Sequence, residues 1–337
     1  MWKRLFGKRK DLCFEYIRIF GVEFRYMRKS CKKHWPEYLN ILVNYAKMQK
    51  LTSINRYEIE SLVENLHHSG VQERQSGPRL IVSLTSYPKR MYDIHLCLYS
   101  LLTQSLKPDK VVLWLAEEQF PDKELDVPRK VRELTRWGLE IKWCEDLKSY
   151  KKLIPALKEY PDDYIVTADD DIFYQKDWLN TLWSTHERTG AKITAHRCHK
   201  VLIKNDRVLP YAKWQKNLSV DSICSPLNFP TGAGGVLYAP RSLHTDILDM
   251  ETAREVCPNG DDIWFWAMAI RASSYATLSD SPMNAISYIN PARELNLLSD
   301  GTLAENNLQG GNDVQIQHLL KKYPDILETL LNSIKKN

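Results

Sequence analysis

The chain has 337 residues, 43% of them hydrophobic and 26% charged, with ten Trp and seventeen Tyr. That length and mixture exclude a disordered or fibrous chain and fit one large globular domain with appendages. Net charge is +5, yet residues 1–50 carry thirteen Lys/Arg against four Asp/Glu, about +9, which leaves about −4 for the rest.

Residues 1–77 mix Lys/Arg with Phe, Tyr, Trp and Leu. Within them 37–66 has helical spacing, with Leu39, Leu42, Val43 and Ala46 on one face. A basic, aromatic-rich helical extension is predicted. Such a segment can lie peripherally on an anionic membrane surface, and a solvated basic helix packed on the main domain is the plainer alternative. It carries no nucleic-acid recognition pattern. Residues 69–78, rich in Gly, Ser and Gln, read as a linker.

From Arg79 the pattern changes. LIVSLTS (80–86) is a buried strand broken by Tyr87-Pro88, and 92–105 has helical spacing. KVVLWLA (110–116) is a second strand, 126–137 a helix, LEIKWC (139–144) a third strand, and 150–159 a short helix or turn. DYIVTA (163–168) is a fourth strand that runs into Asp169-Asp170-Asp171. Strands alternating with helices predict a mostly parallel, helix-covered sheet, whose ligands bind beyond the carboxyl ends of its strands. Further on, NFPTGAGG reads as a glycine-rich loop, and NGDDIWFWAMAI (259–270) as a turn opening a helix. Residues 296–337 read as a helical tail, so the expected division is 1–77, 78–295 and 296–337. The seven scattered cysteines form no CxxC pair and read as reduced thiols. The longest charge-free run, Ile223 to Pro240, is broken by three Pro and three Gly and is no membrane span. With no signal-like segment at 1–12, a cytoplasmic protein is expected.

Three consecutive carboxylates repel one another, and the cost falls if a hard divalent cation, Mg²⁺ or Mn²⁺, sits among them. Successive residues of an extended segment point to opposite sides. Asp169 and Asp171 are therefore expected to face one site and Asp170 to face away. Asp171 is the candidate for direct metal contact, with Asp169 holding a ribose or a metal-bound water. An acidic turn or helix cap is the plainer alternative.

The stretches VSLTSYPKR (82–90), DLKSYKKLIPAL (146–157), VTADDDIFY (166–174), GAGGVLY (232–238) and NGDDIWF (259–265) occur in an order that resembles the nucleotide-diphospho-sugar transferases of the GT-A fold. Within that fold the chain is similar to family 2-like enzymes of bacterial surface polysaccharide and lipopolysaccharide synthesis. The resemblance spans roughly 79–280 and implies an α/β Rossmann-like GT-A domain and a metal-dependent glycosyltransferase. The implied donor is a nucleotide-sugar, and the acceptor a saccharide or lipid-linked saccharide. It places Thr85, Ser86 and Tyr87 in the donor pocket, with Arg90 available to a phosphate and Tyr87 to the base. Asp146 falls near the nucleobase, where a carboxylate accepts from a uracil imide and favours UDP. Lys151 or Lys152, the latter preferred, would neutralise the diphosphate. Gly234 and Gly235 would border sugar and acceptor, and Trp264 would wall the acceptor pocket. Asp262, with Asp261 second, would be the general base of an inverting single displacement. His318 is a possible third metal ligand, with Asn312 and Asp313 as weaker alternatives; a surface helix His is its plainer reading. His196 and His199 read as structural or acceptor-side. Two rivals share the fold: a sugar nucleotidyltransferase and a non-catalytic saccharide-binding protein.

Overall fold

A computed structural model describes residues 7–10, 14–19, 22–27, 54, 56–219, 224–281, 287–290 and 310–335. The chain divides into two compact units, Met1–Leu51 with Pro291–Leu298, and Thr52–Asn290 with Ser299–Asn337.

The described part of the first unit is an antiparallel three-stranded sheet, β1 (Gly7–Lys10), β2 (Phe14–Ile19) and β3 (Val22–Met27), in the order β1-β2-β3. The helical extension expected here is thus corrected to strand over these residues. FEYIRI and VEFRYM are dense in aromatic and β-branched residues, which favour a pleated strand over a helix. The helical spacing at 37–53 lies outside the described residues. The end of that stretch is helical, as α1 (Arg56–Glu64) of the second unit.

The second unit runs in chain order through β4 (Leu80–Thr85), α2 (Ile94–Leu102), β5 (Lys110–Ala116), α3 (Arg129–Glu133), β6 (Leu139–Cys144), α4 (Ile154–Glu159) and β7 (Tyr164–Ala168). It continues with α5 (Trp178–Thr189), β8 (Ile193–Ala195), β9 (Cys198–Lys200), the two-residue strands β10 (Ile203–Lys204) and β11 (Arg207–Val208), β12 (Asn228–Pro230) and β13 (Val236–Tyr238). Then come α6 (Met250–Val256), α7 (Asp261–Arg271), β14 (Ala276–Leu278), α8 (Asn312–Lys322) and α9 (Pro324–Lys335).

Seven strands form the central sheet in the order β14-β8-β13-β7-β4-β5-β6. β7, β4, β5 and β6 are mutually parallel, as is β14 with β8, while β13 runs antiparallel to both its neighbours. The mostly parallel α/β sheet expected from the sequence is therefore present. Its inner strands β4, β5 and β7 read as apolar runs because both faces are covered, while the edge strand β6 alternates and is partly exposed. Alternate residues enter opposite cores: Ile81, Val112 and Ile165 join one cluster with α4, α6, α7, α8 and α9. Leu80, Val82, Leu84, Val111 and Val166 join the other, with α1, α2, α3 and α5. Each such side chain, buried on folding, contributes about 1.5–3 kcal/mol. The tail helices α8 and α9 place Ile316, Leu319, Ile326 and Leu330 in the first of these cores. Cys97, Cys144, Cys198, Cys224 and Cys257 are free thiols.

Parallel strands that start together also end together. The segments leaving β4, β5, β6 and β7 are therefore delivered to one edge of the sheet, where the polar side chains gather.

Candidate active site

Two cations, one buried and one half-buried, organise that edge. The first is Lys152, the last residue of a tight 3₁₀ turn, Lys148–Lys152. Residues three apart eclipse in such a turn. Ser149 and Lys152 therefore share one face, and Lys148 and Lys151 the other. The turn is pinned from behind by Ser83 Oγ, which donates to the Lys152 carbonyl at 2.7 Å, and by Tyr150, whose hydroxyl donates to the Cys257 carbonyl.

Lys152 Nζ lies 2.9 Å from Asp169 Oδ1, 2.9 Å from Asp261 Oδ2 and 3.7 Å from Asp262 Oδ1. Three carboxylates from two distant segments thus surround one ammonium with 7% of its side chain exposed. Burial works against that charge, but Asp169, Asp261 and Asp262 outweigh it and hold the lysine well above its ordinary value. Asp261 is closed in: Ser149 Oγ donates to its Oδ1 at 2.9 Å, and its side chain is 9% exposed. Asp262 is the open member, 32% exposed, with Oδ2 accepting the Gly232 N–H at 2.9 Å. Although a third of its surface is open, dense surrounding protein desolvates the carboxyl and Asp261 and Asp169 repel its charge. Against the pull of Lys152, these push it up to about 7. Both aspartates stand in the first turn of α7, where Gly260 occupies the cap position.

Gly232 could not be another residue without disturbance. A Cβ there would meet Lys152 Nζ at 2.4 Å and Asp262 Oδ1 at 2.9 Å. The expected glycines, Gly234 and Gly235, lie against Arg197 and Trp178. Gly235 takes φ +90° with Trp178 beneath it, Gly234 abuts Arg197, and the Gly234 carbonyl accepts from the Trp178 indole at 2.7 Å. The first glycine of the run, missed from sequence, is the one at the carboxylates.

The second cation is Arg90, in the 3₁₀ turn Pro88–Arg90 that follows β4. Its Nη1 reaches Asp170 Oδ1 at 2.6 Å and Asp171 Oδ2 at 2.7 Å, and Ser86 Oγ donates to Asp170 Oδ2. Burial, ahead of repulsion from Asp171, pushes the Asp170 carboxyl up to about 6, against the pull of Arg90. The expected sidedness of the triplet is corrected here. The strand ends at Ala168 and residues 170–171 form a turn, so the two-residue alternation stops before it reaches them. Asp169 joins Lys152, while Asp170 and Asp171 share Arg90. Arg90, expected to meet a phosphate, is engaged by these two aspartates.

Thr85 Oγ1 donates to the Trp114 carbonyl at 2.8 Å, and Tyr87 is 38% exposed with the Arg90 guanidinium over its ring. Asp146 follows β6 and is held within the protein, by Lys151 Nζ at 2.6 Å, the Lys148 N–H at 2.9 Å and Gln119 Nε2 at 2.7 Å. Burial opposes its ionised form, but these donors keep its carboxyl below the ordinary value. Lys151 is thus paired with Asp146. Trp264 is corrected to a core residue: it is 0% exposed, and its indole donates to the Ile247 carbonyl. His318 stands on the exposed side of α8, whose Ile316 and Leu319 face inward, and it does not join the carboxylates. Of its alternatives, Asp313 accepts from the Tyr211 N–H and Asn312 is buried on α8. His196 is buried against the Trp178 and Ser281 carbonyls, and His199 Nδ1 accepts the Asn217 N–H.

Among the described residues no set of three or more His, Cys, Asp or Glu side chains forms a ready cation cage. The edge nevertheless carries five aspartates, 169, 170, 171, 261 and 262, against Lys152 and Arg90, a formal excess of three negative charges. Hard carboxylate oxygens in charge excess suit Mg²⁺ or Mn²⁺ that draws its remaining ligands from phosphate and water. Among the described residues no helix is long and apolar enough to cross a membrane. A separate groove of about 600 Å³, lined by Val63, Leu66, Arg129 and Trp137 among others, contains none of these carboxylates.

No protein-family model and no curated protein matches the chain. Among solved structures it is similar to S. aureus TarS 1–349 in complex with UDP-GlcNAc, at 13% identity and TM-score 0.44 over 76% of this chain and 72% of that one. It is similar to the mannosyltransferase PcManGT from Pyrobaculum calidifontis in complex with GDP-Man and Mn²⁺, at 15% and 0.39 over 89% and 83%. It is also similar to the inositol-1-phosphate CTP transferase from T. maritima, at 13% and 0.37 over 74% and 98%. These superpositions are partial, and the chemistry of this chain rests on its own side chains.

Proposed function

We propose that the protein is a glycosyltransferase that moves a sugar from a nucleotide-sugar donor, a UDP-sugar by preference, to a saccharide or lipid-linked saccharide acceptor. The observation that carries this reading is the Lys152 cluster. A carboxylate with its pKa near neutrality, Asp262, stands open beside two others at the carboxyl edge of a parallel sheet. A general base works best when its pKa lies near the operating pH.

In this mechanism Asp262 takes the proton of an acceptor hydroxyl. That oxygen bonds to the anomeric carbon as the bond to the departing nucleoside diphosphate breaks, inverting the centre. Asp261, fixed by Ser149 and Lys152, and Lys152 itself are positioning groups that set where Asp262 stands. Asp171 would contact a Mg²⁺ or Mn²⁺, which would supply charge neutralisation for the diphosphate, while Asp169 stays with Lys152. Asp146 has three of roughly four acceptor sites filled, which leaves one for a uracil imide. The +9 excess of residues 1–50 supports peripheral contact with an anionic membrane on the cytoplasmic side.

Thermal shift tests the donor half of the proposal. UDP with Mn²⁺ should raise Tm, UDP or Mn²⁺ alone should raise it less, and Asp171→Ala should remove the synergy. Absence of any shift with UDP, GDP or CDP, with or without the metal, would overturn it.

A further inference from the structure

The Gly232–Gly234 turn separates two groups of side chains. Gly232 abuts Lys152 and Asp262, and Gly234 abuts Arg197 and His196. Arg197 is half-buried and its Nε donates to Asn217 Oδ1 at 2.9 Å. Lys216 Nζ stands 3.2 Å from the centroid of the Tyr211 ring and donates to the Tyr211 carbonyl at 2.9 Å. That cation–π contact fixes the flexible lysine in place.

Among the described residues no carboxylate lies within ion-pair distance of the half-buried Arg197 or the exposed Lys216, so both charges face solvent without an acidic partner. The two cations feel each other. Burial first and Arg197 second push Lys216 down to about 8, with Asp313 opposing. The group reaches the carboxylates: burial, then Asp262, push the Tyr211 phenol up to about 12, with Arg197 opposing. A further observation falls at the same place. Thr231, whose N–H donates to the Arg197 carbonyl at 3.0 Å, is 7% exposed, and its buried hydroxyl oxygen has no hydrogen-bond partner. A buried hydroxyl left unsatisfied costs about 1–3 kcal/mol, a cost that a polar ligand able to reach it on a small local shift would remove.

We infer that Arg197 and Lys216, with Thr231, form the acceptor subsite, and that the acceptor is an anionic saccharide whose phosphate or carboxylate pairs with the two cations. Placed there, a hydroxyl of the same molecule can extend past the glycine turn to Asp262. The assignment of this subsite to an acceptor rests on the glycosyl-transfer reading; the anion site itself does not.

The test is titration calorimetry on the full chain with glucose 6-phosphate, glucuronate and glucose, with and without UDP and Mn²⁺. At least one anionic sugar should bind about tenfold or more tighter than glucose, the preference weakening with salt. Glucose 6-phosphate alone would indicate a phosphate, glucuronate alone a carboxylate. Arg197→Gln with Lys216→Gln should abolish the preference while UDP affinity changes less than about twofold. The exposed Lys216→Gln, made alone, guards against misfolding and should lose part of it. Equal binding of glucose, no binding of either anion, or an unchanged preference in the double variant would overturn the inference. So would a parallel loss of UDP affinity, which would put the two cations in the donor pocket. If the anionic sugars bind as expected but UDP never binds the native protein, the subsite stands and the glycosyl-transfer reading falls.

Discussion

Lys152 and Arg90 each gather aspartates at the same edge of the sheet, yet the two assemblies differ in kind. Arg90 offers a planar fork and engages Asp170 and Asp171, adjacent residues of one turn, with Ser86 on Asp170. These aspartates follow β7 and Arg90 itself follows β4, so the contact ties two parallel strand ends together. Lys152 is a point charge set among carboxylates that arrive from β7 and from α7. One of the three, Asp262, stays open and poised near neutrality. The contrast teaches that acidic residues in a row need not act in a row. Asp169 leaves its neighbours and joins a pair nearly a hundred residues away, and the chemistry sits where partners meet across segments.

The largest expected effect separates the two assemblies outright. Asp262→Asn should lower kcat about 10²- to 10⁴-fold with the fold intact, the usual contribution of a general base. In the native protein the base is protonated and inactive below its pKa. The rate should therefore fall about tenfold per pH unit below about 7 and level off above it. A steady-state pH profile that stays flat from pH 5 to 8 would remove Asp262 from the mechanism. Next, Lys152→Met leaves three carboxylates, one of them enclosed, without their cation. A loss of about 3–5 kcal/mol in urea unfolding is expected, as for a broken buried pair. Arg90→Gln is the milder counterpart. The amide can still donate to Asp170, whose carboxyl already rises toward the neutral form, so about 1–3 kcal/mol should be lost. If Arg90→Gln proves as damaging to stability as Lys152→Met, the distinction between a strand tie and a carboxylate hub is wrong.

Much of this was legible before any coordinates. KVVLWLA and LEIKWC are strands over the residues the pattern picked out: the first is an apolar run buried on both faces, the second an alternating run at the sheet edge. The two aspartates opening α7 followed from the turn-then-helix pattern, whereas the sequence did not decide between Lys151 and Lys152. Other features were hidden for physical reasons. β8, β13 and β14 are three residues each, too short for a period to register. The facing of the aspartate triplet depends on where a turn begins, and one residue of uncertainty there exchanges all the partners. Trp264 looked like a pocket wall because aromatic residues serve cores and sugar sites alike; only its depth decides. Ser149 left a usable trace, since a 3₁₀ reading of KSYKK puts it on the face of Lys152.

The central claim is that this edge transfers a sugar and not a nucleotide. It is tested most directly by analysing what leaves the donor when the protein is incubated with nucleotide-sugars, Mn²⁺ and candidate acceptors. Release of a nucleoside diphosphate, equimolar with glycosylated product and absent with Asp262→Asn, is the predicted result. Pyrophosphate formation from a nucleoside triphosphate and a sugar phosphate, or turnover undiminished in Asp262→Asn, would contradict it.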